Sequence, residues 1–319
     1  MSKVSVIIPV FNVEPYLRRC LNSVVNQTLS DIEIICVNDC SHDNSLEILK
    51  EYAAKDSRIK IIDFPENKGA AVARNTAMGQ VCGEYIGFVD SDDFIDLDFY
   101  EKLYVRANET GADAVKSVLM TFDNNTQTSN LEQCYDLNDK IKKNQAYFYY
   151  TFTSAIYKTS FIFQNKIDFP KGLIYLEDPC FTIKAGFFYN KIAIVDDAKY
   201  YYVNNKNSVT RTKSTDKHLN SLVAGANHII NMLNNYNIDK THYMIVFNFV
   251  TGQLLDWCSN GNVNDVLNNI AIKGLIEIYK QCRYQEECLQ FYFLEKKRTD
   301  REFIIKQLRN NVRKIYAND

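Results

Sequence analysis

Three carboxylates, Asp90, Asp92 and Asp93, follow directly on the apolar run Tyr85 to Val89 in "EYIGFVDSDDFIDLDFY", with Asp96 and Asp98 just beyond. Acids this close repel one another, and a run this apolar is buried, so a strand must deliver them together to one rim of a sheet. Paired carboxylates at such a rim can hold a hard divalent cation, and the cation can hold phosphates. A helix start competes with this, because "DSDDFIDLDFYEKL" also opens like a helix. Capping needs one acid, however, and does not account for the buried strand that feeds the group.

Asp39 ends a second apolar run in "IEIICVNDCSHDNS". It sits where an α/β sheet offers a carboxylate to a nucleobase or ribose, and it equally suits a turn or a helix cap. The first apolar run ends in "PVFNVE", which has no glycine. A nicotinamide or flavin fold needs Gly-x-Gly-x-x-Gly at that turn, and a phosphate loop needs Gly-Lys-Ser/Thr, so both are disfavoured. Phosphates must then be held by the acid group with a metal. "ENKGAAVARNTAM" adds Lys68, Gly69 and Arg74. Gly69, at a strand-to-helix turn, permits a positive φ or close approach by a ligand. Arg74, one turn inside the helix, could reach a nucleotide from below the rim or form a surface salt bridge.

The elements that position these residues alternate. "VSVIIPV", "IEIICVND", "RIKIIDF" and "EYIGFVD" read as strands; "YLRRCLNSVVNQ", "NSLEILKEYAAK" and "AAVARNTAMGQ" read as helices. Leu17, Cys20, Leu21, Val24 and Val25 share one helical face, and Asp43 or Asn44 is the expected cap of the second helix. The alternation predicts an α/β fold with a mainly parallel sheet flanked by helices, whose ligands bind beyond the carboxyl ends of the strands. Further on, "GADAVKSVLM", "KIAIVDD" and "KYYYVNN" read as strands, residues 123–145 as a polar loop or insertion, and "LEDPCFTIKAGFFYN" as a helix from Asp178 with Pro179 in its first turn. From about Thr215 the pattern is helical. The expected division is 1–105, 106–213 and 214–319.

With 319 residues, 46% hydrophobic, and a net charge of −2, the chain can bury a sizeable core and has no global charge for nucleic acid. Nine cysteines with no Cys-x-x-Cys pair suggest reduced, mostly buried thiols. The short apolar run at the N-terminus, broken by Pro9, does not suit a signal peptide, and no stretch suits a membrane span, so a cytoplasmic protein is expected.

Four segments, "VSVIIPVFNVEPYLRRCLNSVVNQT", "EIICVNDCSHDNS", "NKGAAVARNTAM" and "GEYIGFVDSDD", resemble in order and spacing the N-terminal half of family 2 glycosyltransferases with the GT-A fold. "SAIYKTSFI", "LEDPCF" and "NNKNSVTRT" extend the resemblance more weakly to about Thr212. It implies that Pro9, Val10, Phe11 and Glu14 wall the nucleobase and that Asp39 accepts a hydrogen bond from it. Arg74 would lie near the nucleotide. Asp90-Ser91-Asp92 matches the Asp-x-Asp motif, which implies Asp90 near the ribose and Asp92 on a Mg²⁺ or Mn²⁺ ion at the diphosphate, assisted by Asp93. Glu177-Asp178 matches the pair that supplies the catalytic base, with Asp178 favoured; an acid favoured by the helix N-terminus is the competing and compatible reading. Ser208 and Arg211 would close over the diphosphate. A histidine that some relatives carry there is absent, so no third protein ligand is named.

The function implied is an inverting, metal-dependent transfer of a sugar from a nucleotide diphosphate donor, expected to be UDP-linked, to a hydroxyl of a glycan or lipid-linked glycan in surface polymer synthesis. A sugar nucleotidyltransferase would want a basic, glycine-rich loop in place of "PVFNVE"; a non-catalytic nucleotide-sugar scaffold would not need Asp92 and Asp178. The aromatic run Tyr147 to Tyr150 suits core packing better than one sugar groove, since consecutive residues cannot all face it. Near the C-terminus, Ile304, Leu308, Val312 and Ile315 form a stripe among many Lys and Arg. Such a helix suits an anionic membrane surface, and equally packing its stripe on the domain. The helical region from 214 is expected to shape acceptor binding or oligomer contacts.

Overall fold

The computed structural model describes residues 2–133, 151–204, 216–259 and 265–284. β1 (Val4–Val10), β2 (Ile32–Asn38), β3 (Ile59–Asp63) and β4 (Tyr85–Phe88) are linked by α1 (Glu14–Val25), α2 (Ser45–Ala53) and α3 (Ala70–Met78). β5 (Phe94–Ile95), α4 (Phe99–Thr110), β6 (Ala114–Asp123), β7 (Thr128–Gln133), β8 (Ala155–Lys158), α5 (Thr159–Gln164), α6 (Glu177–Phe188) and β9 (Ile192–Val203) follow. The last described elements are α7 (Asp216–Asn235), α8 (Lys240–Ser259) and α9 (Asp265–Gln281).

The strands run in the order β3-β2-β1-β4-β8-β6-β9-β5, with β7 paired to β6. β1 pairs in parallel with β2 and β4, and β2 with β3. Every residue of β2 and β4 is buried, as a strand covered by helices on both faces requires. α1 turns Leu17, Cys20, Leu21 and Val24 into the core, the i, i+3, i+4, i+7 spacing of one helical face, and Pro15 occupies its first turn where a missing N–H costs nothing.

Two segments differ from the sequence expectation. Part of the polar stretch 123–145 is β7, in a hairpin whose turn is closed by the Asp123 carboxylate accepting the Asn125 and Thr126 N–H groups. Leu131 on β7 is 62% exposed, and an exposed strand needs no apolar alternation to announce it. The two expected strands around Asp196 and Asp197 are one strand, β9. An irregularity in its register with β6, between Lys116 and Val118, lifts these two acids into solvent and hides the continuity.

Residues 1–171 with 184–211 form one compact unit, and 172–183 with 212–319 a second. In the second, Leu219, Leu222, Ala226, Ile229, Ile230 and Leu233 make the buried stripe of α7, which packs on α8 and α9. Cys20, Cys36, Cys180 and Cys282 are buried, while Cys40 is half-buried and Cys82 exposed. Among the described residues no helix is long and apolar enough to cross a membrane. The aromatic run at 147–150 and the basic stretch from Lys296 lie outside the described residues.

Candidate active site

The acids crowded in sequence after β4 are sorted in space. Asp90 Oδ1 accepts a hydrogen bond from Arg74 Nη2 at 2.8 Å, an ion pair in which Arg74 is only 5% exposed. The guanidinium lies over the rings of Phe152 and Phe169, 4.5 and 5.2 Å from their centroids, where it gains a cation–π contribution. Arg74 therefore forms a buried ion pair that supports Asp90, not a surface one. Ser91 and Asp92 occupy a turn closed by the Asp93 N–H donating to the Asp90 carbonyl at 2.9 Å. Ser91 is buried and Asp92 half-buried.

Asp93, expected to assist at the metal, points inward instead. It is 1% exposed, with Oδ2 accepting from the Tyr200 hydroxyl at 2.8 Å and Oδ1 from the Val203 N–H at 2.8 Å. Burial, then the charges of Asp92 and Asp90, push its carboxyl well above the usual carboxylate range. Asp96 accepts from the Lys199 N–H and the Tyr201 hydroxyl, and Asp98 pairs with Lys102. Asp98 also occupies the N-cap position of α4 without a side-chain capping bond, so capping does not account for the cluster.

The turns after β1 and β2 are bound to each other. Ser41 Oγ, Ser45 Oγ and Asp43 Oδ2 accept the N–H groups of Asn12, Val13 and Glu14. In return, Asn12 Oδ1 and Glu14 Oε2 accept the N–H groups of His42 and Asn44. The amides that open α1 are thus consumed by side chains from the other turn. A helix N-terminus is an anion site only while its N–H groups are open to the ligand, so phosphate binding there is disfavoured. Glu14, expected at the base wall, is instead engaged with Asn44, in a groove of about 470 Å³ between α1 and α2. Val10 likewise turns its side chain into the core, as strand alternation dictates, and its carbonyl accepts the Asp39 N–H. Pro9 is half-buried and Phe11 45% exposed at the same strand end. The sequence reading did not single out Ser41 and Ser45. Their signal is the density of small polar capping types in "NDCSHDNS".

Asp39 is 3% exposed, and its two oxygens accept the N–H groups of Lys68 and Gly69 at 2.7 and 2.8 Å. Gly69 has φ of +86°, a conformation that favours glycine, and lets the chain turn into α3 with both amides facing Asp39. Each carboxylate oxygen retains a second lone pair for another donor.

In the second unit, Glu177 and Asp178 are half-buried in the first turn of α6. Leu176 before them has φ of +67°, and its carbonyl accepts the Cys180 N–H. Ser221 Oγ on α7 accepts the N–H groups of Ile174 and Tyr175. Any Cβ on Gly225 would stand 2.8 Å from Leu176 Cβ, so glycine is needed for α7 to approach this junction. Ser208 and Arg211 lie outside the described residues.

The profile of glycosyl transferase family 2 matches residues 5–168, which spans β1 to α5 and includes the Asp90-Ser91-Asp92 turn. The chain belongs to glycosyl transferase family 2. Glycosyltransferase GlyA of Streptococcus pneumoniae is 33% identical over 77% of the chain. The poly(ribitol-phosphate) beta-N-acetylglucosaminyltransferase TarS of Staphylococcus aureus is 31% identical over 69%. The chain spans 37% of the length of each. A crystal structure of TarS in complex with UDP-GlcNAc shares the fold, with a TM-score of 0.74, 23% identity, and coverage of 98% of this chain and 92% of that one. The mannosyltransferase PcManGT of Pyrobaculum calidifontis, in complex with GDP-Man and Mn²⁺, is a more distant match, with a TM-score of 0.51, 15% identity, and coverage of 99% and 82%. The architecture is that of GT-A structures.

For a family 2 glycosyl transferase the donor set at β4 can be tested against a metal. Among the described residues, no group of three or more His, Cys, Asp or Glu side chains is disposed to hold a metal ion. Asp92 and Asp90 supply hard oxygens but no closed cage. Mg²⁺-type sites commonly use one or two carboxylates with substrate phosphates and waters, so these residues fit a cation shared with a diphosphate.

Asp39 carries a prediction of its own in this glycosyl transferase. Asp39→Ala removes the acceptor of two backbone N–H groups, and a hydrogen bond to a charged group is worth about 1.5–3 kcal/mol. The variant is expected to melt lower and to bind UDP more weakly, with donor KM raised more than kcat is lowered. A normal melting temperature with normal donor affinity would remove Asp39 from both roles.

Proposed function

We propose that this chain is an inverting, metal-dependent glycosyltransferase that moves a sugar from a UDP-linked donor to a hydroxyl of a surface glycan or lipid-linked glycan. The observation that carries the reading is the Asp90-Ser91-Asp92 turn just after β4, which Asp90 and Asp93 hold from either side through Arg74 and Tyr200. The engaged amides at the start of α1 support the same view, because they are not placed to take the phosphates.

In this reading Pro9, Phe11 and Asp39 receive the nucleobase, Asp90 the ribose, and Asp92, with Asp90 beside it, a Mg²⁺ or Mn²⁺ ion. When bound, that ion offsets the charge of the departing diphosphate. Asp178 takes the proton of the acceptor hydroxyl as its oxygen bonds to the anomeric carbon, and the bond from that carbon to the diphosphate breaks. One attack on one face inverts the anomeric configuration. The UDP-GlcNAc in the TarS complex and the poly(ribitol-phosphate) acceptor in its name support a UDP-hexose and a surface polymer as the substrate classes.

UDP binding measured by calorimetry is expected to weaken strongly when a chelator replaces Mn²⁺, and UDP-sugars are expected to hydrolyse slowly without acceptor. Equal UDP affinity with and without metal would leave the acids structural. Metal-dependent binding without UDP release, with or without acceptors, would instead support a nucleotide-sugar scaffold.

A further inference from the structure

Tyr200, fully buried on β9, joins two parts of the chain that lie far apart in sequence. Its oxygen accepts the Asp90 N–H at 3.0 Å, and its hydroxyl donates to Asp93 Oδ2 at 2.8 Å. Asp93 Oδ1 accepts the Val203 N–H at 2.8 Å, and the Asp93 N–H closes the turn on the Asp90 carbonyl. Both residues that flank Ser91-Asp92 are therefore tied to β9. Two further ties reach Asp90: Arg74 of α3 holds its side chain, and the Cys20 thiol of α1 donates to its carbonyl at 3.6 Å.

A buried tyrosine usually finds a partner for its hydroxyl, and a lone partner would satisfy it. Here the hydroxyl both accepts and donates, and both contacts fall on the two residues that bracket Asp92. A slack turn would let the Asp92 carboxylate wander, whereas a metal site needs its ligands held in position by the groups behind them.

We propose that Tyr200 and Asp93 are positioning residues that fix the Ser91-Asp92 turn for a diphosphate and its cation. This rests on the reading of Asp92 given above. The Tyr200 ring also packs edge-on to Phe99 with centroids 6.4 Å apart, so packing must be separated from hydrogen bonding. Tyr200→Phe keeps the ring and removes only the hydroxyl. Tyr100→Phe is the matched control: Tyr100 is fully buried and packs on the same Phe99, and among the described residues its hydroxyl has no hydrogen-bond partner.

In Tyr200→Phe, amide exchange at Asp90 is expected to accelerate, and the Mn²⁺ concentration that half-saturates UDP binding to rise roughly three- to tenfold, the range for losing a hydrogen bond or two. Tyr100→Phe should match the wild type in both, and melting temperatures report on folding. Wild-type exchange and metal requirement in Tyr200→Phe would overturn the inference, as would an equal shift in Tyr100→Phe. Wild-type UDP binding that ignores Mn²⁺ would overturn the reading of Asp92 together with the inference built on it.

Discussion

The Asp178→Asn protein is expected to bind UDP and metal as the wild type does while transferring sugar ~10²–10⁴-fold more slowly, the range for losing a general base. Asparagine keeps the shape of the side chain in the first turn of α6 and cannot take a proton. The junction that presents it is set by Leu176, Ser221 and Gly225, none of which changes. The competing role for Asp178, an acid placed to suit the helix N-terminus, predicts something much smaller. Such a charge is worth about 0.3–1 kcal/mol of stability and nothing in rate. Steady-state transfer, UDP calorimetry and a melting curve on the one variant therefore separate the two. A near-normal rate would move the base elsewhere, with Glu177 the first residue to test.

Asp92→Asn should fail at an earlier stage. Its UDP affinity in Mn²⁺ is expected to fall to the value measured in chelator, with turnover lost to the detection limit. The fold should survive, because asparagine keeps the shape of the side chain and the Tyr200 bonds to Asp90 and Asp93 that brace the turn are unchanged. A melting curve checks this. Retained metal-dependent binding would make Asp90 the ligand. Loss of UDP binding in both Asp92→Asn and Asp178→Asn would mean that the two acids do not divide the work.

The sequence made the alternating half of the fold legible, because strands buried on both faces and helices with one apolar face write their periods plainly. Leu17, Cys20, Leu21 and Val24 are read correctly for that reason. The placement of the acid turn at the end of β4 is legible for the same reason, since Tyr85 to Phe88 has to be inside. What each acid does there is not. Asp92 and Asp93 are the same residue type side by side, and only the long-range contact with Tyr200 turns one of them into the core. β7 escapes detection because its side chains are solvated, and β9 is split on paper by Asp196 and Asp197, which bulge outward. The bond between Glu14 and Asn44 is illegible for a related reason, because Asn44 belongs to a different turn that no local pattern links to Glu14.

The reciprocal bonds between the turns after β1 and β2 limit how this protein can be recombined with its relatives. Five backbone amides, those of Asn12, Val13, Glu14, His42 and Asn44, depend on side chains from the opposite turn. A chimaera with its crossover between Glu14 and Ser41 inherits one half of that set from each parent, and any mismatch strands several amides at once. Exchanging either turn with that of a relative is therefore a two-segment operation: residues 12–14 and 41–45 have to travel together.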